Sequence, residues 1–129
     1  MKTKLEIIEE TVEVYSKVSK RAVQGDVCSY YLNGNTCAVG RCCEDPQELE
    51  RQSLKINSLG ANAFSINMDL GGLDKWLKPK YRGHSVNFWA DIQLLHDNPT
   101  YWKSTLLGGG LTQAGVNFVE RLKREYREN

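Results

Sequence analysis

All four cysteines of the chain, Cys28, Cys37, Cys42 and Cys43, fall inside one stretch, CSYYLNGNTCAVGRCC. Thiolates in a tetrahedral set bind zinc, so Cys28, Cys37 and Cys42 are candidate ligands, with His84 or His96 as replacements. The spacing fits that chemistry poorly. Structural zinc sites place cysteines in pairs roughly two to four residues apart, whereas Cys42 and Cys43 are adjacent and diverge. Buried thiols serving as small apolar side chains explain the cluster more simply, and no cofactor is expected. Arg41 beside Cys42 would favour a thiolate, but a nucleophile also needs an oriented base, and nothing in the spacing brings either histidine to a cysteine.

A second group mixes cations with aromatic rings: Lys78, Lys80, Tyr81, Arg82, His84 and Trp89. Such a mixture suits a nucleotide, with arginine on phosphate and an aromatic ring stacked on a base. Trp89 belongs to the apolar row of a helix, which leaves Tyr81 and Arg82 as the surface candidates. The expected ligand-binding set is Arg41, Lys80, Tyr81, Arg82 and Trp102. Gly108-Gly109-Gly110-Leu111-Thr112 leads into a helix whose N–H groups could hold phosphate. It matches neither a Walker nor a Rossmann fingerprint and reads as a connection and a cap. No catalytic residue is predicted, because paired catalytic groups at informative spacing are missing.

The elements that must position these residues read as a single α+β domain over residues 1–129, mainly helical, with about four helices and a small antiparallel β-hairpin. Thr3 and Glu6 form a capping box that starts the first helix, which ends within residues 17–20. Its inward row is Leu5, Ile8, Val12 and Tyr15, with Glu6, Glu9, Glu10 and Glu13 toward solvent. A polar connection over residues 21–26 precedes the hairpin, whose strands are expected at 27–32 and 36–39 around Asn33-Gly34-Asn35.

Asp45-Pro46 with Glu48 opens the second helix, running to about Ser58. Residues 59–72 read mostly as loop, with a short strand or irregular chain at 63–68. One helical turn follows at 73–77, stopped by Pro79. Ser85 caps the third helix, with Phe88, Ile92 and Leu95 inward, and Thr112 caps the last, with Val116, Val119, Leu122 and Tyr126 inward.

The formal net charge of +1 supplies no global basic field for nucleic acid. A DNA-binding module would have to rely on Arg121, Lys123, Arg124 and Arg127. Glutamates interrupt any secretory core at the N-terminus, and no segment has the apolar length to cross a bilayer, so a cytoplasmic protein is expected.

At CAVGRC, residues 37–42, at LKPKYRGHSVNFWADIQLLHD, residues 77–97, and at GLTQAGVNFVERLK, residues 110–123, the chain resembles a family of small proteins encoded by bacteriophages and prophages. The resemblance implies an accessory role inside the host cell, acting on host defence by binding. It carries over no catalytic or binding residue. Two partners follow as expectations. One is a small nucleotide immune signal, held between protomers of a homo-oligomer. The alternative is a host protein, a defence effector or nuclease, whose surface is blocked.

Overall fold

The structure, a computed structural model, describes residues 1–17, 23–24, 27–28, 30–31, 36–57, 61–103 and 109–127. Five α-helices carry the fold among these residues: α1 (Lys4–Lys17), α2 (Pro46–Ile56), α3 (Ala63–Asp69), α4 (Val86–Asp97) and α5 (Gln113–Tyr126). Short 3-10 turns at Gly40–Cys42, Leu73–Lys75, Pro79–Tyr81 and Pro99–Tyr101 join them. α4 is the hub, packing against α1, α3 and α5. Its Phe88, Trp89, Ile92 and Leu95 are fully buried, together with Ile7 and Ile8 of α1, Leu49, Ile66, Leu77 and Leu122.

The helix starts follow from local chemistry. Thr3 Oγ1 accepts from the Glu6 N–H at 3.1 Å while Glu6 Oε1 accepts from the Thr3 N–H at 2.9 Å, a reciprocal capping box. Asp45, Ser85 and Thr112 cap α2, α4 and α5 through side-chain oxygens. α2 stops at Ile56. The Ser58 end expected for it lies outside the described residues, as do residues 18–20, where α1 was expected to end.

The α+β class with its hairpin is not what forms. The strand pairing among the described residues is a two-residue ladder, Val23–Gln24 (β1) against Val27–Cys28 (β2), with no sheet layer behind it. β2 thus pairs backward, with the preceding segment, and not forward with residues 36–39. Val39 adopts helical backbone angles, φ −78° and ψ −45°, and leads into the Gly40–Cys42 turn. Cooperative 3-10 bonds, Cys42 N–H to Val39 O and Cys43 N–H to Gly40 O at 3.0 Å each, replace the expected returning strand. The Asn33-Gly34-Asn35 turn lies outside the described residues, as do most of residues 21–26.

A second correction concerns residues 63–68, expected as a strand or irregular chain. They form α3, capped by Asn62, whose Oδ1 accepts from the Ser65 N–H at 2.9 Å. Gly71 and Gly72, with φ of 81° and 101°, then turn the chain through a conformation that side chains with a Cβ rarely adopt. The fold is therefore mainly helical, with five helices in place of about four.

The Gly40–Cys42 turn is fixed by close approach. A Cβ on Gly40 would lie 2.1 Å from the carbonyl oxygen of Tyr30, so only glycine fits. Tyr30 itself is anchored by its hydroxyl, which donates to the Ala61 carbonyl at 2.7 Å. On its other side the turn is laced to residues 76–78, with Glu44 N–H donating to Trp76 O at 3.1 Å and Lys78 N–H to Cys42 O at 2.8 Å. These bonds bring Arg41 to Tyr81.

Candidate functional site

The site is built where α1, the Gly40–Cys42 turn and the Pro79–Tyr81 turn meet. Glu10 of α1 accepts from Arg41 Nη1 at 2.6 Å and from the Tyr81 hydroxyl, and pairs with Lys2 Nζ at 2.8 Å. Arg41 Nη1 also donates to the Tyr81 oxygen at 3.3 Å. The Arg41 guanidinium and the Lys80 ammonium lie 5.7 Å and 5.4 Å from the centroid of the Tyr81 ring, within cation–π reach.

The electrostatics follow from this crowding. Burial alone would raise the Glu10 carboxyl, but hydrogen bonds from Lys2, Tyr81 and Arg41 outweigh it and pull its pKa down to about 2. For Arg41, burial disfavours the charge, yet the Cys42 sulfur, Glu10 and Tyr81 hold its pKa above the ordinary value. Tyr81 is pushed up to about 12, by burial first and by its bond to Glu10 second. At neutral pH Glu10 is a carboxylate flanked by the Lys2 and Arg41 cations, and Tyr81 is a neutral phenol.

Of the five expected ligand-binding residues, Arg41, Lys80 and Tyr81 are brought together. Tyr81 is not at the surface, where its sequence neighbourhood put it, because its ring packs edge-on against buried Trp89 and its hydroxyl is engaged below. Arg82 is turned back onto the backbone, its Nε donating to Leu77 O at 3.0 Å. Trp102 belongs to a different neighbourhood, where Nε1 donates to Leu95 O at 2.8 Å and the backbone bridges to Leu111.

Glu10 and Lys2 are the members that sequence reasoning missed. Glu10 was assigned to the solvent face of α1. Its one local signal is its place three residues past Ile7 and next to Thr11, both fully buried, which sets it on the edge of the buried stripe.

The cysteines play a packing role. Cys37, Cys42 and Cys43 are buried free thiols. The Sγ of Cys42 and of Cys43 donate to Ala38 O and Val39 O, at 3.4 Å and 3.3 Å. Burial pushes the Cys42 thiol up to about 12 against the pull of Arg41, and raises Cys43 as well, so neither is an activated nucleophile. Among the described residues no group of three or more histidine, cysteine or acidic side chains is gathered as a metal site. The side chain of Cys28 lies outside them. His96 is fully buried, its Nδ1 2.7 Å from Asp97 and its ring edge-on to Tyr15.

In the glycine run before α5, Gly108 is outside the described residues. Gly109 and Gly110 carry positive φ, and Lys103 N–H donates to Gly110 O at 2.8 Å. Elsewhere, an open cleft of about 240 Å³ lies between α1 and α5, lined by Leu5, Glu9, Lys123, Arg124 and Arg127. Lys123 there already faces Glu9 at 3.5 Å. No helix among the described residues is long and apolar enough to cross a membrane.

Comparisons of the chain with protein families, with characterised proteins and with solved structures find no match. The functional reading therefore rests on the arrangement of these side chains.

Proposed function

We propose that the protein is a bacteriophage-encoded accessory protein that acts without catalysis, sequestering a small nucleotide signal of host antiviral defence in the host cytoplasm as a homo-oligomer. The observation that supports this reading is the gathering of Arg41, Lys80 and Tyr81, with Lys2, into one cation-rich centre around Glu10, with the Glu6 carboxylate also acting on Lys2. Two cations on Glu10 and a third over Tyr81 leave an excess of positive charge, which suits a phosphate-bearing ligand.

Native mass spectrometry of the purified protein, followed by calorimetry with cyclic dinucleotides, cyclic trinucleotides and ADP-ribose derivatives, tests it. A co-purified nucleotide or saturable heat is expected. A bare protein with no heat from any of these ligands would overturn it.

One observation favours the alternative, blockade of a host protein. Phe64 and Met68, four residues apart on α3, are 43% and 81% exposed, an apolar pair turned to solvent. Affinity capture from host lysate with wild type and with Phe64→Ser/Met68→Ser separates the two readings, since a partner lost only in the variant would place function on α3.

A further inference from the structure

An arginine offers an oxyanion two N–H forks, and the side-on one, formed by Nε and Nη2, matches the two oxygens of a phosphate or carboxylate. In Arg41 the bonds to Glu10 and Tyr81 both use Nη1. Nε and Nη2 are shielded from solvent and have no hydrogen-bond partner among the described residues. An entire side-on fork is thus buried and unused. Leaving a buried charged donor unpaired forfeits its hydration without replacement, so such a fork calls for an acceptor.

Its surroundings point the same way. Trp89 Nε1, a donor, is also buried with no partner among the described residues, and its ring lies 6.5 Å from that of Tyr81. The neighbourhood of Tyr81 therefore holds a further buried donor that no described residue satisfies. The other cationic feature contrasts with it. In the α1–α5 cleft Arg124 and Arg127 are exposed to water, and Lys123 has Glu9, so nothing there is left wanting.

We propose that the Nε/Nη2 edge of Arg41 is an oxyanion receptor that takes a phosphate group side-on, with Glu10 and Tyr81 acting as positioning residues that hold the guanidinium by its other nitrogen. This rests on the nucleotide reading above and deepens it by naming the group that receives the phosphate. Entry requires a local opening. The segment placed to provide it is the N-terminal strap, pinned by Lys2 N–H to Lys80 O at 2.7 Å, Lys2 Nζ to Glu10 at 2.8 Å and His84 Nε2 to Lys2 O at 2.8 Å.

The test follows the arginine Nε–H resonances of ¹⁵N-labelled protein by NMR during titration with inorganic phosphate, and separately with a cyclic dinucleotide. The expected result is a saturable downfield shift of the Arg41 Hε signal with phosphate. Arg41→Lys keeps the charge and loses the fork, so it should weaken phosphate by at least about ten-fold with its thermal melt still cooperative. If that variant does not fold, the wild-type titration decides alone.

A shift with phosphate and none with the nucleotide upholds the receptor and removes the nucleotide reading. Nucleotide heat without movement of the Arg41 signal does the reverse and overturns the receptor. It is overturned equally by no shift with either ligand, by shifts confined to Arg124 and Arg127, or by a folded Arg41→Lys that binds phosphate as wild type does.

Discussion

Among the described residues two tyrosines donate a hydroxyl proton to a carboxylate, and the two pairs are put to different use. Tyr126 of α5 donates to Asp91 of α4 at 2.6 Å, with its ring edge-on to Phe88, and this pair is a tie between two helices. Tyr81 donates to Glu10 of α1, and that pair also carries Arg41 and Lys2. Both phenols are held above their ordinary pKa, burial first and the carboxylate second. What differs is the guanidinium. A neutral donor on a carboxylate is satisfied and closed, whereas a five-donor cation pinned at one nitrogen has donors to spare. The first arrangement stabilises; the second stabilises and leaves a site.

The largest effect expected from either region comes from the backbone that delivers it. Gly40→Ala places a Cβ 2.1 Å from Tyr30 O, and Gly115→Ala places one 2.3 Å from Tyr101 O. In α5 the added alanine recovers up to about 1 kcal/mol of helix propensity, so Gly115→Ala should cost about 2 kcal/mol and Gly40→Ala more than about 3 kcal/mol. Urea denaturation measures both. Equal losses would mean that the turn carrying Arg41 is no more tightly built than the start of α5.

Next comes removal of charge. Arg41→Ala strips Glu10 of its buried partner and should cost about 3 kcal/mol, while Asp91→Asn removes the charge of the tie but keeps an oxygen that can accept from Tyr126, and should cost about 1 kcal/mol. If the two variants unfold at the same denaturant concentration, the polar centre is no more than a second tie.

What was legible in the sequence and what was not follows from distance along the chain, and neither tyrosine–carboxylate pair was legible. Caps are local, so Thr3, Asp45, Ser85 and Thr112 announce α1, α2, α4 and α5 within a few residues of the bonds they make. Asn62 is a signal of the same kind for α3, overshadowed by the glycines around it. The hairpin failed because residues 36–39 have strand-like composition but lead into the Gly40–Cys42 turn, which the close approach of Gly40 to Tyr30 and the 76–78 lacing hold in place. Arg41, Lys80 and Tyr81 were visible as residue types. Glu10 was not, since its partners lie 31 and 71 positions away and no periodicity of α1 encodes them.

Acid should separate the two regions more gently. The Glu10 carboxyl titrates near pH 2 in the folded protein, against an ordinary value of 4.5. A depressed folded pKa gives stability that is complete above about pH 4.5 and is lost as pH falls toward 2. With partial solvent screening this amounts to about 2 kcal/mol. The stability difference between wild type and Glu10→Gln should shrink over that window, followed by urea melts at each pH. A difference constant from pH 6 to pH 2.5 would mean that Glu10 does not hold its proton so weakly.

The smallest expected effect bears most directly on the contrast. Tyr81→Phe and Tyr126→Phe each remove one hydroxyl, and each should cost about 1 kcal/mol. Their coupling to Arg41 should differ. Tyr81 shares Glu10 and a hydrogen bond with Arg41, so in a double-mutant cycle Tyr81→Phe and Arg41→Ala should deviate from additivity by about 1 kcal/mol. Tyr126 shares no partner with Arg41, and its cycle should close within about 0.5 kcal/mol. Additivity in both cycles would mean that Tyr81 packs beside the guanidinium without positioning it, and Glu10 alone would then hold the fork in place.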